Sequence, residues 1–221
     1  MEKRRKLLVL AKYGTSRLEG FETRTNVLCK ELSRRVEVNL VLSDANHKGV
    51  FGDSEYNVVI QNENQYFSRF ILRTRKYTKS ASAGRVLSWL HFEWQTLRYS
   101  RLYVSQDTDV ILVSSLSLFS IFSGYYFKIK FGCRLIFEVR DIWPLVMVEE
   151  AGFSRFHPLV VVLGLIEKFS YRVSDEIIGT MPNLREHVNT IVRTEKRVNC
   201  IPFGLYFDEV VERPKRNELV R

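Results

Sequence analysis

Phe137-Glu138-Val139-Arg140-Asp141-Ile142-Trp143-Pro144 is the stretch from which the fold is read. The apolar run 135–139 is β-branched and aromatic, the composition of a buried strand. It stops at a charged pair. Pro144 cannot continue a central strand, and it holds Trp143 extended or in a turn. Arg140 and Asp141 therefore fall at the carboxyl end of a strand, and in open α/β sheets ligands bind in the crevice beyond those ends. The pair is a candidate catalytic couple. A structural salt bridge that closes the strand is the open alternative.

Strands and helices alternate on both sides of this stretch. Residues 6–11 read as a strand, 22–34 as a helix and 36–42 as a second strand, a βαβ unit with a right-handed crossover. Leu28, Leu32 and Val36 share a stripe of the helix. Glu22 in its first turn and Arg34-Arg35 in its last suit the helix dipole. A third strand is expected at 56–60. A helix is expected over 83–104, with Leu87, Leu90, Trp94 and Leu97 on one face, read as its core side, and His91 beside that stripe as a packed core-edge histidine, not a ligand. The strand 109–113 ends in Ser114-Ser115, which either cap the next helix, 116–131, or donate to a ligand at the crevice. Pro158 opens a helix over 158–173 that is apolar nearly all round, so it is buried or presented to lipid. A strand at 176–179, a helix at 182–192 and a strand at 197–201 follow. This alternation predicts an α/β fold: a single Rossmann-like, open, mainly parallel sheet with helices on both faces over 1–208, and a charged linker at 209–221.

The 221 residues carry a net charge of +9 and a pI near 9.5, which favours an anionic partner: nucleic acid, a membrane surface or a phosphorylated ligand. Cys29, Cys133 and Cys200 are too few and too scattered for a disulfide framework or a zinc site, so a reducing, cytoplasmic setting is expected. The apolar run 7–11 is too short for a signal-peptide core, and 159–166 is far below the ~18 residues that span a bilayer.

The loop from Gly14 to Gly20 matches neither the dinucleotide fingerprint nor the phosphate loop, which excludes NAD binding and P-loop hydrolysis. A glycine beside a helix N-terminus still leaves backbone N–H groups for an anion, and a plain connecting loop is the open alternative. Lys12 and Tyr13 lie next to it. Residues 61–82 interleave Arg69, Arg73, Arg75, Lys76 and Lys79 with aromatic side chains. Such a segment binds nucleic acid, sits at a membrane interface, or is a solvated surface with a few core anchors.

The order of elements and five short segments resemble the N-terminal half of family 4 glycosyltransferases, which have the GT-B fold. Gly20-Phe21-Glu22-Thr23-Arg24 is similar to that family's glycine loop between first strand and first helix. Arg140-Asp141-Ile142-Trp143-Pro144 resembles the R-D-x-W-P signature of its capsule, O-antigen and exopolysaccharide branch. Tyr171-Arg172-Val173-Ser174-Asp175, ahead of the strand 176–179, resembles Y-R-x-A-D-x-I, and Met181-Pro182-Asn183 takes the place of S-P. Ile201-Pro202-Phe203-Gly204 stands where the family has I-P-N-G, with Phe203 in place of Asn.

The resemblance implies an acceptor-binding domain facing a C-terminal donor-binding domain across a cleft. That second domain would be in cis or a separate chain, and this chain alone would be inactive. No cofactor is expected in this chain; the nucleotide sugar would sit in the other domain. The implied reaction is retaining, needs no metal, and moves a sugar to a polyprenyl-diphosphate-linked glycan at the inner face of the cell membrane. Asp141 would orient or deprotonate the attacking hydroxyl and Arg140 would hold a phosphate. Gly20, Phe21, Glu22, Thr23, Ser114, Ser115 and Trp143 would line the acceptor. Arg69, Arg73, Arg75, Lys76, Lys79, Lys128 and Lys130 would form a cationic rim on an anionic membrane. The rival class is a non-catalytic basic module, a membrane-docking partner subunit or a nucleic-acid binder with steep salt dependence.

Overall fold

The computed structural model describes residues 3–16, 19–45, 55–77, 83–150 and 152–203. Strands β1 (Lys6–Leu10), β2 (Glu37–Ser43), β3 (Val58–Asn64), β4 (Phe67–Leu72), β5 (Val110–Ser114), β6 (Arg134–Val139), β7 (Glu176–Gly179) and β8 (Val198–Cys200) form one sheet. Their order is β3-β4-β2-β1-β5-β6-β7-β8. Every pairing is parallel except β3 with β4, which places the single antiparallel strand at the edge. The central strands are near-continuous apolar runs because both of their faces are covered.

Among the described residues six α-helices connect them: α1 (Arg24–Leu32), α2 (Ala83–Arg98), α3 (Ser120–Phe131), α4 (Leu145–Glu149), α5 (Pro158–Val173) and α6 (Leu184–Val192). They divide unequally. On one face α1, through Leu28, Cys29 and Leu32, packs on Val9, Leu40 and Leu112. On the other face Phe92 of α2, Phe127 of α3, Leu163 of α5 and Val188 of α6 pack on Leu10, Val113, Phe137 and Ile177. Gly124 lets α3 press onto the sheet, since a Cβ there would lie 2.5 Å from Val113 Cγ2. Pro158 starts α5, where the His157 side chain accepts the Leu159 N–H at 3.3 Å. Such a cap is worth about 1 kcal/mol.

The predicted fold class holds, and most element positions hold within two or three residues. Three expectations are corrected. Residues 61–72 are not a solvated segment: they complete β3 and form β4, a hairpin at the sheet edge. The signal was hidden by Arg69, a charge in mid-strand that is wholly buried. Burial is tolerable there because Glu19 takes the guanidinium at 2.8 and 2.9 Å, while Gln61 and Glu63 on β3 accept at 2.8 and 3.2 Å. Second, the 83–104 helix stops at Arg98 and continues as a single 3-10 turn, Ser100–Leu102. Third, the Leu87, Leu90, Trp94, Leu97 stripe faces outward. The buried side of α2 is Ser88, Trp89, Phe92, Glu93, Gln95 and Thr96. Ser88, Glu93 and the Gln95 amide N–H find partners inside the protein, while Gln95 Oε1 and the Thr96 hydroxyl have none among the described residues.

Candidate functional site

The carboxyl ends of β1, β5 and β6 bring three loops together. In the first, Thr23 clips the β1–α1 loop shut. Its backbone N–H donates to Thr15 O at 3.0 Å, its hydroxyl donates to the same oxygen at 3.2 Å, and its Oγ1 accepts the Thr15 N–H at 3.1 Å. That hydroxyl is therefore not spent on capping α1, which has neither a side-chain cap nor an acid in its first turn. Gly20 supplies a φ of 97°, a conformation that side-chain-bearing residues rarely take. Glu19 anchors the loop to Arg69. Burial would raise the Glu19 carboxyl, but the Arg69 guanidinium and the Ser16 N–H hold it below its usual range.

In the second loop Ser115 brackets the charged pair. Its Oγ accepts the Arg140 N–H at 2.9 Å and donates to Asp141 O at 3.5 Å. Neither Ser114 nor Ser115 caps α3, which begins at Ser120. The capping alternative is set aside.

The third loop carries Arg140 and Asp141 just past β6. Asp141 is exposed, and no ion pair ties it to Arg140 or to any other described residue. The salt-bridge alternative is thereby set aside as well. The Arg140 guanidinium lies 5.8 Å from the Phe203 ring, and Arg24 approaches the same ring at 5.0 Å. Arg24 also donates to the carbonyls of Ile201 and Pro202 at 2.9 Å each and pairs with buried Glu138 at 3.4 Å. Phe203 thus has two guanidinium groups near its ring centre, at 5.0 and 5.8 Å. Trp143 stands edge-on to Trp89 at 6.3 Å, with Arg85 5.6 Å above it.

Polar atoms at this edge are buried without hydrogen-bond partners: the hydroxyls of Thr15, Ser16 and Thr25, Asn26 Oδ1, the hydroxyls of Ser114 and Ser117, Arg140 Nε and Trp143 Nε1. Each such group costs about 1–3 kcal/mol unless something satisfies it. The arrangement suits a ligand rich in hydroxyl or phosphate oxygens, received by hydroxyls, the α1 N-terminus and a guanidinium. Among the described residues no group of three or more His, Cys, Asp or Glu side chains could hold a metal ion.

Ser115 meets Arg140 and Asp141 directly, and Ser114 ends the neighbouring strand β5. Gly20 and Thr23 lie in the β1–α1 loop, which Glu19 ties to Arg69 on β4, and Trp143 lies against Trp89. Phe21 and Glu22 lie in the same β1–α1 loop, with Glu22 accepting from Asn26 at 2.8 Å. The cationic rim is not one surface. Arg69 is removed from it by burial. Arg73, Arg75 and Lys76 follow β4 at the carboxyl edge, with Lys76 paired to Asp44 at 3.0 Å. Lys128 and Lys130 are at the opposite edge, because α3 runs antiparallel to the strands; Lys128 pairs there with Asp175 at 2.6 Å. Lys79 lies outside the described residues.

The reading of the chain missed Arg24, Tyr77, Arg85 and Trp89. The Trp89 indole N–H donates to Tyr13 Oη at 3.1 Å, and the Tyr13 and Tyr77 hydroxyls meet at 2.9 Å. Lys12 is buried beneath them, donating to Ser43 and to both oxygens of Ser88, and burial lowers it to about 7. Only an aromatic-rich start to α2 could have signalled this wall.

No family model matches the sequence, and a search of curated proteins finds no relative. Among solved structures, sucrose-phosphate synthase of Thermosynechococcus elongatus is similar over 91% of this chain and 49% of its own, with a TM-score of 0.62 at 12% identity. UGT2 of Phytolacca americana, solved with UDP-2fluoro-glucose and pterostilbene, is similar over 91% of this chain and 55% of its own, with a TM-score of 0.53 at 13% identity. The chain therefore spans about half the length of these two structures. At these identities the likeness establishes the fold: the Rossmann-like sheet of the GT-B neighbours.

Proposed function

We propose that this chain is the acceptor-binding half of a glycosyltransferase. It would work with a donor-binding domain, in cis or as a separate chain, that brings the nucleotide sugar. The observation that carries the proposal is the Arg140-Asp141 pair at the tip of β6. Neither side chain is ion-paired among the described residues, and Ser115 holds the backbone of both. Asp141 takes or orients the proton of the acceptor hydroxyl as that oxygen bonds to the sugar's anomeric carbon and the nucleoside diphosphate leaves. Arg140 holds an acceptor phosphate, and the Arg24–Phe203–Arg140 cluster forms the lip nearest the donor side. The finer reading, following the sequence resemblance, is retaining transfer to a polyprenyl-diphosphate-linked glycan in bacterial surface polysaccharide synthesis, at the inner face of the cell membrane. The unpartnered hydroxyls and the α1 N-terminus support a glycan-diphosphate acceptor.

Asp141→Asn, assayed with the donor-binding half and a polyprenyl-diphosphate glycan, should lower turnover by roughly 100-fold or more. Its unfolding midpoint should not move, because the carboxylate bonds to no described residue. Unchanged turnover would remove Asp141 from the chemistry.

A further inference from the structure

Helices α2, α3 and α5 present apolar residues to the outside. The exposed side chains are Leu87, Leu90, Trp94 and Leu97 on α2, Phe122, Tyr126 and Ile129 on α3, and Val161, Val162 and Leu165 on α5. Trp94 is 53% exposed, Ile129 65% and Leu165 64%. Single exposed apolar residues are ordinary on a protein surface, but a contiguous patch is not. This one is contiguous. Glu93 on α2 accepts from Ser120 and Ser123 on α3, and Phe122 on α3 stacks on Phe169 of α5 at 5.5 Å. The outward faces of α1 and α6 are polar, with Lys30 on one and Arg185, Glu186 and Thr190 on the other.

Charge selects the occupant. The three helices carry the cations Arg85, Arg98, Lys128, Lys130, Lys168 and Arg172, and their only acids, Glu93 and Glu167, are buried. One exposed carboxylate, Asp175 beyond the end of α5, borders this face and is paired with Lys128, so the cations of the three helices outnumber it. Each helix leaves a strand's carboxyl end and runs to the amino edge, so Arg98, Lys130 and Arg172 line up at one end of the patch. Arg98 sits 5.1 Å from the Trp94 ring, and Lys130 5.4 Å from the Tyr126 ring. Aromatic residues beside cations, next to aliphatic surface, suit the headgroup level of a bilayer.

We propose that the outer face of α2, α3 and α5 lies on an anionic lipid membrane. The inference deepens the proposed function and rests on it for its purpose: the lipid surface then reaches the helix N-termini, which border the carboxyl-edge site, and a lipid-linked acceptor enters from there. The docking surface is this helix face, not the segment 69–79.

The test is retention of the full chain by phosphatidylcholine vesicles with and without phosphatidylglycerol, at low and high salt, with circular dichroism to confirm that each variant folds. The parent chain should bind the anionic vesicles and release with salt. Trp94→Glu with Ile129→Glu should weaken retention about tenfold or more. Arg98→Glu with Lys130→Glu should weaken it about tenfold and remove most of the salt dependence. Arg73→Glu with Arg75→Glu should bind like the parent. Docking on this face is overturned if the parent ignores anionic vesicles, or if the Trp94 and Ile129 variant binds like the parent. It is equally overturned if sedimentation shows a dimer that this variant dissolves, since a second copy would then cover the patch. Retained binding by Asp141→Asn together with undiminished transfer would count against the catalytic reading alone and leave the docking surface standing.

Discussion

At the amino edge of the sheet Lys6 pairs with Asp107 at 3.0 Å, and its backbone N–H donates to Asp109 at 2.7 Å. Asp175 there takes Lys128 at 2.6 Å and the Leu135 N–H at 2.8 Å. At the carboxyl edge the hydroxyls of Thr15, Ser16, Ser114 and Ser117, with Arg140 Nε and Trp143 Nε1, are buried and unpartnered among the described residues. Most of the buried unpartnered groups of the described residues gather at the carboxyl edge, with Arg69 Nε in mid-strand and Gln95 Oε1 and Thr96 Oγ1 under α2 apart from them. Native proteins leave few buried polar groups unmatched. Gathered on one side of a sheet, such groups mark where stability has been given up for a ligand.

The contrast is most exposed to refutation at Glu19, where the open edge is fixed by a buried ion pair. Glu19→Gln leaves the wholly buried Arg69 with Glu63 as its remaining carboxylate, and should cost about 3 kcal/mol. A urea midpoint lowered at unchanged m-value would record it. A loss below about 1 kcal/mol would mean that the loop takes no order from Arg69.

Titration sharpens the contrast. The Ser105 hydroxyl and Lys6 hold the Asp107 carboxyl well below its usual range at the amino edge. Burial would raise Asp175, but the Leu135 N–H and Lys128 keep it low. Depressed carboxylates contribute stability above their unfolded pKa and lose it as pH falls through the folded one. Glu93, under α2 and α3, behaves oppositely: burial raises it from 4.5 to about 7, although Ser123 and Ser120 oppose the shift. Its contribution is full below pH 4.5 and disappears as pH rises to about 7. Across that window stability should therefore fall in the parent. Glu93→Gln should flatten the fall, gaining on the parent by more than about 1 kcal/mol between the two ends. Parallel curves would show that Glu93 titrates in the folded protein where it does in the unfolded chain.

The sheet was legible in the sequence because buried parallel strands are short apolar runs and their connections carry helical periods. The Arg140-Asp141 corner was legible because the charged pair after such a run is followed at once by Trp143-Pro144, and a proline cannot continue a central strand. Two things were not. Arg69 reads as a surface charge until the β3–β4 register sets Gln61 opposite it. The α2 stripe reads as core, because spacing reports which residues share a face and not which way the face points. Trp89 and Phe92 fit the period of the buried side equally well. Arg24, Arg85 and Trp89 came into the site through tertiary contacts with residues far along the chain, which no local pattern encodes.

The smallest effect is the most discriminating. Asp175→Ala at the amino edge removes a satisfied acceptor that is 35% exposed, and should cost about 1 kcal/mol without touching ligand binding. Ser114→Ala at the carboxyl edge removes a hydroxyl that bonds to nothing within the described protein. Losing the hydroxyl leaves no partner unsatisfied, so stability should stay level or rise by up to about 1 kcal/mol. If the hydroxyl is held ready for an acceptor, KM for the glycan should rise severalfold in the same variant. Paired thermal unfolding and acceptor titrations would separate the cases. A destabilised Ser114→Ala with unchanged KM would mean that the hydroxyl has a structural partner, and the two edges would then not differ in kind.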